Sequence, residues 1–292
     1  MPMIVTKRVL NPTVSLMEIS CPAVARKAQP GQFVILRVDE FGERIPLTIA
    51  DYDTVRGTVT IMYQRVGLTT QKLDALESGD NILDLVGPLG NPTETEGAKR
   101  VIVIGGGVGC AIAFPQAKAL HNAGVPVDVI VGFRTKELVF LESSFRRNCD
   151  NLYITTDDGT YGEKGFVSNK LTELLEAGND YDLAIAIGPV PMMRAISNVT
   201  LPYKLKTIVS LNPIMVDGTG MCGGCRVNVG GQTKFACVDG PDFDGHLVDY
   251  DELIVRNGVY REQENVARAM HAHKCRMDKM TEELAKGGRV DA

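Results

Sequence analysis

Three thiols and a carboxylate carry the strongest chemical signal in the sequence. Asp217-Gly-Thr-Gly-Met-Cys222-Gly-Gly-Cys225 is followed, after eleven intervening residues, by Cys237. Thiolates spaced C-x2-C in a glycine-rich loop let the backbone close around an inorganic cluster while its N–H groups point at the sulfurs. Plant-type [2Fe-2S] sites read C-x4-C-x2-C with a distant fourth cysteine. The last three positions are filled here, and Asp217 stands in place of the first. An anionic, hard carboxylate can ligate iron, so Asp217, Cys222, Cys225 and Cys237 form a candidate [2Fe-2S] ligand set. A zinc site, or Asp217 as a turn residue beside three metal-binding cysteines, fits the same spacing.

A second set lies upstream. In Arg44-Ile-Pro46-Leu47-Thr48-Ile49 an arginine and a hydroxyl recur on one face of a strand, where they could grip a phosphate and a ring edge. Gly67-Leu-Thr69-Thr70 opens a helical pattern and suits a pyrophosphate, or is only a helix cap. Tyr63 could stack on a planar ring or fill the core. A third set follows: Val101-Ile-Val-Ile runs into Gly105-Gly106-Gly107-Val108-Gly109, a strand, glycine turn and helix start that let a dinucleotide approach the backbone. Cys110 stands where the usual dinucleotide fingerprint needs Gly or Ala, and no acidic residue ends the next strand at Gly132-Phe133-Arg134. A conventional Rossmann dehydrogenase is disfavoured. Arg134 serves a ribose 2′-phosphate or a solvated helix start. Thr155-Thr156-Asp157-Asp158-Gly159 and Gly188-Pro189-Val190-Pro191-Met192 end two further strands and could line the same crevice.

The elements that must position these groups are legible. Segments Ile4–Val9, Val14–Ile19, Gln32–Val38, Arg44–Thr48, Thr58–Tyr63 and Asn81–Val86 are short strands split by turn signals, with a helical piece at Thr70–Leu76. They predict a six-stranded antiparallel barrel. From Arg100 on, uninterrupted apolar runs alternate with helical patterns, which predicts a doubly wound parallel α/β domain. A small cysteine-bearing module begins near Pro213. The stretch Arg261–Leu284 reads as an amphipathic helix, with Val266, Ala269, Met270, His273, Met277, Met280 and Leu284 on one face, docked on the core or a partner. The expected divisions are 1–98, 99–212, 213–258 and 259–292.

Composition excludes several classes. The 292 residues are 44% hydrophobic and 23% charged, which is globular. A net charge of -5 leaves no positive field for nucleic acid. The apolar run Val101–Phe114 is too short and glycine-rich for a membrane span, and the first residues lack a signal peptide's layout. With seven cysteines, three of them in Cys222–Cys237, a reduced cytoplasmic protein with a metal site is expected over a disulfide framework. Cys21, Cys149 and Cys275 read as ordinary thiols, no histidines pair as metal ligands, and no nucleophile elbow is present.

In this order, and over nearly the whole chain, these motifs together with Gly87-Pro88-Leu89-Gly90-Asn91-Pro92 resemble the ferredoxin reductase-type electron-transfer subunits. That branch includes the subunit serving dihydroorotate dehydrogenase. Asp217 is more similar to the small subunits of flavin-bifurcating NADH-dependent reduced ferredoxin:NADP oxidoreductases, also called sulfide dehydrogenase subunits. The resemblance implies FAD in the barrel, held by Arg44, Pro46, Leu47, Thr48, Ile49 and Tyr63, with Gly67, Thr69 and Thr70 at its pyrophosphate. It implies NAD(H) against Gly105–Gly109, Asp157, Asp158, Gly188, Pro189 and Met192, and a [2Fe-2S] cluster on Asp217 and the three cysteines. It also implies a larger iron–sulfur flavoprotein partner that meets ferredoxin and NADP, and no general acid or base of this chain's own. Service to a dihydroorotate or other dehydrogenase is the alternative, and a zinc-stapled nucleotide-binding regulator is the alternative of another class.

Overall fold

The computed structural model describes residues 1–270. The first unit comprises β1 (Met3–Val9), β2 (Val14–Ser20), β3 (Phe33–Arg37), β4 (Arg44–Asp53), β5 (Thr58–Gln64) and β6 (Asp84–Leu89). Every pairing is antiparallel in the order β1-β2-β5-β4-β3-β6. The sheet closes because Met3 bridges Asn81, and the Ile4 N–H donates to the Asp80 carbonyl at 2.9 Å. Strand alternation sends Met17, Ile19, Val34, Leu36, Ile49, Val59 and Ile61 into the barrel core. The opposite face, with Val14, Leu16, Ala50 and Met62, packs into the core of the second unit. Two short helices, α1 (Pro22–Ala25) and α2 (Leu68–Asp74), complete it; α1 is too short to leave a periodic signal.

The second unit is a parallel sheet of β7 (Val101–Gly106), β8 (Val127–Phe133), β9 (Asn151–Thr156), β10 (Glu163–Lys164), β11 (Leu183–Ile187) and β12 (Lys206–Ser210), ordered β10-β9-β8-β7-β11-β12. Helices α3 (Gly109–Asn122), α4 (Glu142–Arg146), α5 (Val167–Glu176) and α6 (Val190–Thr200) cover its faces. All six residues of β7 are buried, as a central strand requires. The chain leaves β7 to one side for β8 and later returns on the other as β11, so a crevice opens at the carboxyl end of β7.

The cysteine-bearing segment is joined to that sheet. After a hairpin of β13 (Arg226–Val229) and β14 (Gln232–Phe235), the short strand β15 (Asp242–Asp244) pairs antiparallel with β12. Its Asp-Phe-Asp sequence carries no apolar run, which is why the sequence shows no strand there. Helix α7 (Tyr250–Asn257), capped by Asp249 accepting the Glu252 N–H, packs on α6. Residues 261–270 are helical, with Val266 and Met270 more than half exposed. The expected apolar face is therefore not buried on this chain over that stretch. The remainder of the expected tail helix lies outside the described residues.

Candidate functional site

Cavities open at two of the three predicted sets, one beside Gly67–Thr70 and two adjoining at the Gly105–Gly109 turn. On β4, Arg44, Pro46 and Thr48 alternate with Ile45, Leu47 and Ile49, which pack on the barrel core. Ile49 is 1% exposed in that core and can meet a cofactor only through its backbone, whereas Leu47 is partly buried against it. Tyr63 is a correction to the expected stacking ring. It is 1% exposed inside the barrel, its hydroxyl bonds Asp74 at 3.1 Å, and no ring can stack on it. Arg44 pairs with Asp84 at 3.0 Å and remains over a third exposed.

Gly67, Thr69 and Thr70 line a cavity of about 510 Å³. The Thr70 hydroxyl accepts from the Gly67 N–H at 3.1 Å and donates to the Gly67 carbonyl at 3.0 Å, so it caps α2, while Thr69 donates to Glu43. Arg261 and Arg268, from the stretch 261–270, close the far wall beside Glu264. Arg268 donates to the Val66 carbonyl at 3.2 Å. Two guanidinium groups there suit a diphosphate, and sequence reading missed them because they are distant in the chain.

The crevice at β7 holds two adjoining cavities, of about 420 and 560 Å³, which share Gly106, Gly107, Phe133, Arg134 and Pro189. Two of its glycines, Gly106 and Gly109, are crowded by contact. A Cβ on Gly106 would lie 2.3 Å from Met192 Sδ, and one on Gly109 2.3 Å from the Ile187 carbonyl. Gly105 packs on Cys110, whose thiol is fully buried and pushed far up by that burial, which makes it a packing residue. Asp157 lines the smaller cavity with Pro189 and Met192; Gly188 and Val108 line the larger. Asp158 instead folds into its own turn, accepting from the Thr160 N–H and hydroxyl, which holds its carboxyl below the usual range.

The smaller cavity adds Phe166, which no motif flagged, and brings in Thr155 from the strand-end stretch Thr155–Gly159. Phe166, 62% exposed at the start of α5, offers an aromatic face, and the buried Thr155 hydroxyl has no hydrogen-bond partner. An orphaned hydroxyl and an open ring in a glycine-walled crevice fit a nucleotide.

Around the cysteines, backbone conformation shapes the loop. Gly218, Gly220 and Gly223 have φ of 78°, 81° and 69°, a region closed to most side chains. Asp217 accepts the Thr219 N–H at 2.8 Å and the Cys222 N–H at 2.9 Å, which holds its carboxyl below the usual range. Cys225 and Cys237 are buried with sulfurs 3.2 Å apart, and Cys222 is exposed. Burial, followed by the neighbouring Cys225, pushes the Cys237 thiol up to about 12, so a metal ion must displace a firmly held proton.

Among the described residues no three His, Cys, Asp or Glu side chains converge as a single-ion site requires. The donors come instead in pairs, Asp217 with Cys222 and Cys225 with Cys237. That arrangement fits a two-iron centre, with two protein ligands to each iron, better than a tetrahedral zinc.

The cluster loop also packs on the barrel. Phe33, Ile35, Met215, Cys225, Ala236 and Cys237 form one buried cluster with Leu89 against it. Phe33 and Ile35 are the register partners of Thr48 and Pro46. Opposed residues of an antiparallel pair share a face, so the cysteines stand on the same outer face of the strand pair as Pro46 and Thr48.

Comparison with known proteins agrees. Residues 212–249 match the iron–sulfur cluster binding domain of dihydroorotate dehydrogenase B. The chain is 47% identical to a dihydroorotate dehydrogenase B (NAD(+)) electron transfer subunit homolog of Thermotoga maritima, over 85% of this chain and 88% of that protein. It is 34% identical to the electron transfer subunit of that enzyme from Geobacillus thermodenitrificans, over 82% and 94%. Among solved structures it superposes on a chain of an NADH-dependent reduced ferredoxin-NADP oxidoreductase, solved for flavin-based electron bifurcation, with TM-score 0.88 and 44% identity, covering 93% of this chain and 98% of that one. A ferredoxin reductase of carbazole 1,9a-dioxygenase shares the fold at TM-score 0.60 and 21% identity. With its barrel, doubly wound sheet and paired sulfur donors, the chain belongs to the family of iron–sulfur oxidoreductase subunits that includes the electron-transfer subunit of dihydroorotate dehydrogenase B.

Proposed function

We propose that this chain is the NAD(H)-facing electron-transfer subunit of a flavin-bifurcating NADH-dependent reduced ferredoxin:NADP oxidoreductase, binding FAD, NAD(H) and a [2Fe-2S] cluster. The observation that carries this reading is the shared core of Phe33, Ile35, Cys225 and Cys237, which sets two cluster ligands on the flavin-facing side of β3 and β4. When bound, a flavin exchanges hydride with a nicotinamide and single electrons with an iron–sulfur centre, so it belongs between the two.

The chain's own residues do the positioning. Arg44 and Thr48 orient the flavin on the outer face of β4, and Gly67, Thr69, Thr70, Arg261 and Arg268 hold its diphosphate. Gly105–Gly109 admit the dinucleotide to the backbone of β7, Phe166 stacks its base, and Asp157 takes its ribose. Asp217, Cys222, Cys225 and Cys237 ligate the cluster. No side chain serves as a general acid or base toward the nicotinamide.

Electrons leave at the cluster loop. Met221 is 88% exposed beside exposed Cys222, and Val216 and Val238 flank it, over 40% exposed. An apolar rim around a ligand is where a larger iron–sulfur flavoprotein would seat. That partner would carry the contacts to ferredoxin and NADP. No helix among the described residues is long and apolar enough to cross a membrane, and a cytoplasmic location follows from the reading. The family's dihydroorotate members favour a second reading, in which a dihydroorotate dehydrogenase is the partner; Asp217 in the first ligand position argues for the bifurcating branch.

The test is anaerobic purification followed by flavin and iron assays and low-temperature EPR of wild type and Asp217→Cys. One FAD and two irons per chain, with a [2Fe-2S] signal that shifts in the variant, are expected. An unshifted signal removes Asp217 as ligand and the preference for the bifurcating branch. Absence of flavin and iron overturns both readings.

A further inference from the structure

Asp74, Asp128 and Asp242 are three carboxyls withdrawn from water, and they are satisfied very differently. Asp74 in the barrel faces Arg65 at 3.2 Å and the hydroxyls of Ser15 and Tyr63. Asp128 faces Arg100 at 3.2 Å, Asn151 and Tyr181. Asp242 on β15 faces no cation among the described residues. Its Oδ2 accepts from the Thr93 hydroxyl at 2.5 Å, while its Oδ1, although the residue is partly exposed, is enclosed and has no hydrogen-bond partner. Thr93 accepts in turn from Gln116 of α3 at 2.5 Å. The remaining polar neighbour is Ser210, its register partner on β12, whose hydroxyl favours the ionised carboxyl.

Ser210 also lines the 560 Å³ cavity, with Gly106–Gly109 and Gly188. The carboxyl thus stands one strand behind the wall of the cleft in which hydride would pass. This placement rests on the function proposed above, and it meets a requirement of that function. A hydride from NADH is one proton and two electrons; when the electrons leave singly through the cluster, one proton per hydride stays in the cleft.

We propose that Asp242 accepts that proton, relayed through the Ser210 hydroxyl, and releases it to solvent at the partly exposed edge of β15. A hydroxyl can accept and donate at once, so Ser210 passes the proton without holding charge. Burial, opposed by Ser210 and Thr93, pushes the carboxyl up to about 6, which keeps it mostly ionised at neutral pH yet close to the protonation range where an acceptor works best. The enclosed Oδ1 is the free acceptor lone pair that such a role needs.

The test is a time-resolved infrared difference spectrum of anaerobically purified holoprotein mixed with NADH, in which the protonated carboxyl is read as a transient, with flavin and iron content measured on the same sample. Wild type is expected to gain a protonated-carboxyl C=O band on reduction by NADH, downshifted in D2O; Asp242→Asn is expected to lose the band while keeping cofactor content. Ser210→Ala, which leaves the carboxyl and its Thr93 bond in place, is expected to slow the appearance of the band at least tenfold; should Asp242→Asn lose its cofactors, an unslowed band in Ser210→Ala overturns the proposal by itself. A band that persists in Asp242→Asn, or that is absent from loaded wild type, also overturns it while leaving the electron-transfer reading standing. A wild-type sample without flavin and iron overturns both.

Discussion

Two glycine-rich loops in this chain do opposite kinds of work. In Gly105–Gly109 only Gly107 has positive φ, and Gly106 and Gly109 are needed because neighbouring atoms leave no room for a side chain. In Gly218–Gly224 three glycines have positive φ, while Gly223 and Gly224 have nothing nearer than 3.5 Å to a Cβ. The first loop is preformed by packing between a strand and a helix. The second is shaped by backbone conformation and by Asp217's grip on two N–H groups, with Gly218 pressed against neighbouring side chains, Leu89 and Ile35. A nucleotide comes and goes from a rigid cradle, whereas a cluster is built into a loop that must admit it.

The largest effects should separate these modes. Gly109→Ala forces a Cβ into the Ile187 carbonyl and should destabilise the fold by about 3 kcal/mol, read as a lowered unfolding midpoint with iron content unchanged. Gly223→Ala meets only ordinary contacts, Arg226 at 3.6 Å and Phe235 at 4.0 Å, and should cost only about 1–2 kcal/mol for its left-handed backbone. Its signature should be lowered iron occupancy instead. If both variants lose stability equally, the contrast between the loops is broken.

The seam between the loops is sharpened by pH. The folded carboxyl of Asp242 lies above its unfolded value of 3.8, at about 6. Its burial penalty is therefore absent below pH 4, grows between 4 and 6, and is complete above 6. Asp242→Asn should gain on wild type across that window by up to about 3 kcal/mol, measured as the difference in denaturant midpoints at pH 4.5 and 7.5. A constant difference would show that the carboxyl does not titrate there.

Smaller still is the effect of Phe166→Ala, which should weaken NADH binding about tenfold by calorimetry and leave the EPR signal alone. Asp217→Ala should do the reverse. It frees the Thr219 and Cys222 N–H groups to exchange with deuterium and alters the cluster signal without touching NADH affinity.

Legibility in the sequence followed the same division. The barrel strands were readable because each ends at a turn dipeptide and alternates its apolar residues, and the buried run of β7 announced a central parallel strand. The cluster loop was readable from cysteine spacing alone. What stayed hidden depends on contacts remote in sequence. Tyr63 looks like a stacking ring until the barrel closes around it. Phe166 and Arg268 belong to no motif and become wall residues only when separate elements meet, and the open hydroxyl of Thr155, inside a strand-end motif, shows only in the fold. Asp242 lies in a three-residue strand whose partner, β12, precedes it by some thirty residues, and no local pattern marks that pairing.

That pairing has a consequence for maturation. The Leu211 N–H donates to the Pro241 carbonyl at 2.8 Å, so the cluster-bearing excursion is stapled at its base to a sheet edge whose stability comes from elsewhere. The entropy of closing the loop is already met before any iron arrives. Metal insertion thus becomes a local ordering event on a finished scaffold, and a chain stripped of iron by oxygen should keep its nucleotide cradle intact and accept a new cluster without passing through the unfolded state.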